Sequence, residues 1–120
     1  MLDATRQAEY QRLNAKYLAE ADELLAKKGC SQASEKLWGA TAEIVKAVAA
    51  KRGVSLGTHR SIGEFVDLLH KENPRWGLRE AFAFANSLHT NFYEDWLTEE
   101  FVLDASGRIR DFVSKLTRLL

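Results

Sequence analysis

Apolar side chains recur three and four positions apart along five stretches of this chain, and a single proline, Pro74, interrupts its 120 residues. That spacing gathers the apolar positions on one face of an α-helix and scatters them over both faces of a strand. With so few helix breakers the stretches can be long. The pattern predicts an all-α protein with no strand.

The first stretch runs from about Ala4 to Lys28, with Asp3 as N-cap, Gly29 as stop and a face of Tyr10, Leu13, Tyr17, Ala21 and Leu24. A second runs from Ser31, its cap, to Arg52 before Gly53. Its face is Ala33, Leu37, Ala40, Ile44, Ala47 and Val48, and so many small residues let neighbours approach closely. This helix is therefore expected at the centre. The loop GVSLGTHR leads to a short third helix from Ser61 to Lys71, where Ser61 and Glu64 have capping-box spacing and Ile62, Phe65, Val66 and Leu69 are apolar.

Asn73 as cap and Pro74 at the first helical position predict a fourth helix reaching Tyr93, burying Leu78, Phe82, Ala85, Leu88 and Phe92. Thr98 opens a fifth, with Glu99 and Glu100 at its positive end and a seam of Val102, Ala105, Ile109, Phe112, Leu116 and Leu119. Asp104 with Arg108 and Asp111 with Lys115 have favourable i,i+4 order, and Gly107 is the weak point of the helix. Short connections make neighbours antiparallel. The expectation is one domain over residues 1–120: an up-down bundle of four long helices with the third as a short crossover.

Composition limits the functional classes. A chain of this length buries roughly two-thirds of its unfolded surface and needs no metal or disulfide to fold. Lys plus Arg and Asp plus Glu are 17 each, so no global field draws in nucleic acid or anionic lipid. The single cysteine, Cys30, excludes an internal disulfide. Its neighbours Lys27 and Lys28 carry the charge that can lower a thiol pKa, but with no resolving cysteine and no paired histidine a catalytic thiol is not expected. There is no signal peptide and no apolar run of membrane-spanning length, so a cytoplasmic protein is expected. His59, His70 and His89 are too scattered to read as a metal site, and no phosphate-cradling glycine motif or nucleophile elbow is present. No cofactor is expected.

The run QASEKLWGA, Gln32 to Ala40, followed by alanine-rich helix and Gly53, resembles the archaeal paralogous family PaREP, within the wider HEPN group. SLHTNFYED, Ser87 to Asp95, is similar to the family's Leu-His followed by an aromatic and an acidic residue. The likeness extends from about residue 15 to 95. It implies an HEPN-like helical bundle, often a symmetric dimer. Many HEPN domains are ribonucleases, and others are inactive partners of toxins or nucleotidyltransferases. Active ones carry an Arg, a polar residue, and a His, with four to six residues between the Arg and the His. No Arg stands at that spacing before His89, Arg79 being too far upstream. Arg52 and His59 have the spacing but straddle the glycine loop.

His89, on the side of helix four with Ala85 and Phe92, is the candidate general base, or else a half-buried histidine bonded to a neighbour. His59 and Arg60, before the expected cap of helix three, can hold an anion there or be plain loop surface. Glu35 is the candidate polar member of a site, with Tyr93 as a further companion; a solvated charge is the simpler account of Glu35. Trp38, Phe92 and Trp96 exceed what the seams need and suit a subunit contact.

Two functions are compatible with these residues. The first is a non-catalytic interaction module forming a two-fold homodimer, with a toxin or antitoxin protein as a further possible partner. The second is an HEPN-type ribonuclease or nucleotide-binding protein using His89 with a basic residue from another helix or subunit, Arg60 or Arg79. Convergence of His89, His59 and Arg60 in one polar pocket favours the second; separation, or burial under aromatics, favours the first.

Overall fold

A computed structural model describes residues 4–120, and every described helix is α. They are α1 (Ala4–Ala26), α2 (Cys30–Lys51), α3 (His59–Glu72), α4 (Leu78–Glu94) and α5 (Glu99–Thr117). No strand occurs among the described residues. The up-down bundle is as expected, with α3 the shortest element at 14 residues. The proposed Asp3 cap lies outside the described residues.

Helix α2 is the axis of the bundle. Helices α1, α3, α4 and α5 all pack against it. Its expected face is buried, and so are Ser34, Thr41, Ala42, Val45, Ala49 and Ala50. Helix α1 leans mainly on α2, and only Asn14 and Ala21 are buried in it; its other expected seam residues are half-buried. Asn14 donates its amide to the Ala40 carbonyl at 2.7 Å. Next to that bond, a Cβ on Gly39 would lie 2.9 Å from Cδ2 of Tyr17. A side chain at Gly39 would therefore require the Tyr17 ring to move from its place against α2. The predicted faces of α3 and α5 and of most of α4 form the core with α2.

Three boundaries differ from the sequence reading. Helix α2 starts at Cys30 on Gly29, with no side-chain cap, and the left-handed residue before it is Lys28 at φ 61°. Helix α3 starts earlier: Thr58 accepts from the Ser61 N–H, and Ser61 Oγ returns a contact to the Thr58 N–H, both at 3.0 Å. The capping box is thus Thr58–Ser61, not Ser61–Glu64, and His59 and Arg60 lie in the first turn of the helix. Asn73 ends α3 instead of opening α4. Residues 74–77 form a turn closed by Gly77 at φ 66°. Tertiary contacts hold that turn: Lys115 donates to the Trp76 carbonyl at 2.8 Å, and Arg118 stacks 4.9 Å from the Trp76 ring.

Phe92 is the fourth correction. It is 36% exposed, and the inward position at the end of α4 belongs to Asn91, which is fully buried. Asn91 Oδ1 accepts from the Trp96 and Leu97 N–H groups, each at 2.7 Å. Its amide donates to Ser34 Oγ at 3.0 Å, and Ser34 donates on to the Cys30 carbonyl at 2.8 Å. One side chain thereby sets the α4–α5 turn and ties it to α2. Asn91→Ala removes the acceptor of two part-buried N–H donors and the partner of buried Ser34, so a loss of about 1–3 kcal/mol is expected in urea unfolding. A loss below about 1 kcal/mol would show that this network does not hold the turn.

Candidate functional site

Two short pairs build the site, each three residues apart on one helix face: Glu35 and Trp38 on α2, and Asn86 and His89 on α4. The early start of α3 brings His59 to meet them. Its imidazole stacks on the Trp38 indole with centroids 4.5 Å apart and planes at 14°. His89 lies 5.0 Å from Trp38, and the two imidazole centroids are 5.6 Å apart. Phe82 closes the inner side, 5.9 Å from Trp38. Tyr93 stands edge-on to His89 at 5.6 Å, one helical turn further along α4.

Each imidazole is held by an oxygen. His89 Nδ1 is 3.0 Å from Glu35 Oε1, and both side chains are half-buried. A carboxylate only accepts, so Nδ1 carries the proton and Nε2 is left as the basic nitrogen of the neutral ring. His59 Nε2 is 2.7 Å from Asn86 Oδ1, which orients the second ring with Nδ1 as its unprotonated atom. Glu35 is therefore a ring-holding carboxylate, not a merely solvated charge.

Arg60 does not join them. It points outward, its side chain 89% exposed, and pairs with Glu64 at 3.3 Å. Arg79 pairs with Asp67 at 3.2 Å. Arg52 forks onto Glu72 through two bonds of 2.9 Å, at the end of α3 opposite His59. Phe92 and Trp96 flank Tyr93 along the chain; they are 36% and 57% exposed, and Tyr93 is 71% exposed. Trp38 is part of the imidazole cluster and is packed against the core.

Cavities open on both sides of Trp38. One, of about 290 Å³, is lined by Tyr17, Glu35, Lys36, Gly39, Glu43 and Lys46. The other, of about 240 Å³, is lined by Lys46, Leu56, Gly57, Thr58, His59 and Ile62. Burial raises the Glu43 carboxyl above the usual carboxylate range; Lys46 opposes this and Glu9 adds to it. Burial, then the charges of Glu99 and Asp95, push the Cys30 thiol up, so Lys27 and Lys28 do not activate it. Among the described residues no group of His, Cys, Asp or Glu is arranged to hold a metal.

Residues 9–113 match the archaeal PaREP1/PaREP8 family. The chain belongs to that family. No curated protein matches it. A crystal structure of a Sulfolobus solfataricus protein is similar over 89% of this chain and 95% of that one, with a TM-score of 0.80 and 22% identity. At that identity the likeness speaks for the fold. Among the described residues of this PaREP1/PaREP8 chain no helix is long and apolar enough to cross a membrane.

Sequence reasoning named His59, His89, Glu35 and Tyr93 as site candidates, placed Phe82 only in the core, and did not name Asn86 or Lys46. The i,i+3 spacing of Asn86 and His89 was a usable signal, since it puts an amide beside an imidazole on one face. Nothing local reveals that this face meets the first turn of α3.

The Glu43 shift has a measurable consequence. Its native value is raised, so the folded state keeps the proton longer than the unfolded chain. Stability therefore falls as pH rises through that window, and the deficit persists above it. Glu43→Gln is expected to melt higher than the parent at pH 7 and to lose that advantage near pH 3. A parent that melts higher at pH 7 would contradict the assignment.

Proposed function

We propose that this protein is a phosphate-ester-binding domain of the HEPN kind, with His59 and His89 as an acid–base pair acting on an RNA phosphodiester. The observation that carries the reading is the convergence of the two imidazoles, 5.6 Å apart, each fixed by an oxygen of a different helix. An imidazole both takes and gives protons near neutral pH.

The chemistry balances without a further reactant. One imidazole takes the proton of a ribose 2′-hydroxyl while that oxygen attacks phosphorus. The second, entering as the imidazolium, gives a proton to the 5′-oxygen as the P–O5′ bond breaks, leaving a 2′,3′-cyclic phosphate, a 5′-hydroxyl and a neutral ring. Glu35 keeps His89 Nδ1 protonated and so keeps Nε2 in the basic form. The PaREP resemblance supports the HEPN assignment. The active Arg-to-His pattern of that group is not assembled from Arg52 and His59, because Arg52 is engaged by Glu72. The pair of histidines stands in its place.

The test is incubation of the pure protein with an end-labelled oligoribonucleotide. Cleavage to cyclic-phosphate ends is expected, and His59→Ala and His89→Ala should each lower the rate roughly 10²–10⁴-fold. Equal cleavage by parent and variants, or none by the parent, would sink the reading.

A second reading, self-association, is favoured by the exposure of Phe92, Tyr93 and Trp96 around the end of α4. Three large aromatics grouped in this way suit a subunit contact. Light scattering at micromolar protein is expected to give a dimer mass, and Tyr93→Asp combined with Trp96→Asp a monomer. A monomeric parent rules it out.

A further inference from the structure

The acid–base pair lacks a cation to hold the phosphate, since the arginines considered for that role are tied to carboxylates elsewhere. We infer that Lys46 is the phosphate-binding residue of this site, and that the ligand's phosphate sits beside Trp38 between the two cavities; this rests on the phosphate-ester reading above for the chemistry of the ligand.

Trp38, Ala42 and Lys46 are four residues apart in turn, one stripe along α2. All three line both cavities, so the two form one groove across α2. Its cations are Lys36 and Lys46. Lys36 is held by Glu20 at 3.0 Å and lies over the Tyr17 ring at 5.2 Å. Lys46 is held loosely: its ammonium is 3.9 Å from Glu43 Oε1 and 5.8 Å from the Tyr10 ring centroid. That separation from Glu43 is too long for a hydrogen bond, so the three ammonium donors are available to a ligand.

The groove also explains where such a phosphate would lie. Lys46 shares its second cavity with His59 and Thr58, at the start of α3. An anion on Lys46 would be next to the His59 imidazole, and the positive end of the α3 dipole would add to the attraction. Glu35 lines the first cavity but is taken by His89, and Glu43 is the acid that competes for Lys46. Its buried Oε2 has no hydrogen-bond partner among the described residues. Phosphate and Glu43 thus act on Lys46 in opposition, which gives the inference a two-sided test.

The probes are AMP, adenosine and a 2′-O-methyl hexaribonucleotide that cannot be cleaved, titrated calorimetrically into the whole chain. The parent should bind AMP or the oligonucleotide more tightly than adenosine; whichever binds tighter identifies a free nucleotide or an RNA strand as the source of the phosphate. Lys46→Gln should weaken both phosphate-bearing probes roughly tenfold or more while leaving adenosine unchanged, and Lys46→Arg should restore most of the loss. Glu43→Gln should tighten them by removing the competing carboxylate. Circular dichroism establishes that each variant is folded. If Lys46→Gln leaves phosphate binding intact while His89→Ala weakens it, this inference fails and the function proposed above stands. Binding of none of the probes by the parent overturns both.

Discussion

Helix α2 is buried around nearly all of its circumference, and the rest of the molecule is arranged by that fact. A helix of this kind must be surrounded, and four others do so. The stripe it leaves partly open runs through Glu35, Trp38, Gly39, Glu43 and Lys46. Every polar or large residue of that stripe takes part in the groove described above. The same helix that closes the core therefore carries the floor of the candidate site, and its rigidity is lent to Glu35 and Trp38.

Rigidity matters because two of the site's side chains come from elsewhere. His59 depends on where α3 begins, which the Thr58–Ser61 capping box decides. His89 depends on the depth at which α4 lies against α2, set from below by Leu88 and from its C-terminal end by the Asn91–Ser34 bond. Buried polar groups with all bonds made can fix one arrangement of packed helices. Asn91 joins three segments in this way, whereas the exposed ion pairs along α1, α3 and α5 contribute little each. The site is thus supported by a small buried network and not by the many surface charges.

Charge placement bears on the ligand. The chain is neutral overall, and most of its arginines are paired with carboxylates on the surface. Broad electrostatic capture of a nucleic acid is therefore not available to it. Recognition has to be local, at a place where a cation is loosely held. The acidic stretch Glu94, Asp95, Glu99 and Glu100 beside the exposed Tyr93 and Trp96 would repel a phosphate backbone at that end, which suits a protein contact there and a phosphate in the groove.

The sequence by itself determined the five helices, their class of packing and the central place of α2, because apolar periodicity is a local property that every compact arrangement must satisfy. It also pointed to His89, Glu35 and His59 one at a time. Only the tertiary structure decided that these converge on Trp38, that Arg60 and Arg79 turn away, and that Asn91 is buried where Phe92 was expected. A residue's partners across helices depend on rotation about the helix axis and on where each helix starts. An error of two or three residues, as at the start of α3, swings a side chain from loop surface into the site. Spacing along the chain does not resolve that angle; the packing of α3 and α4 against α2 does.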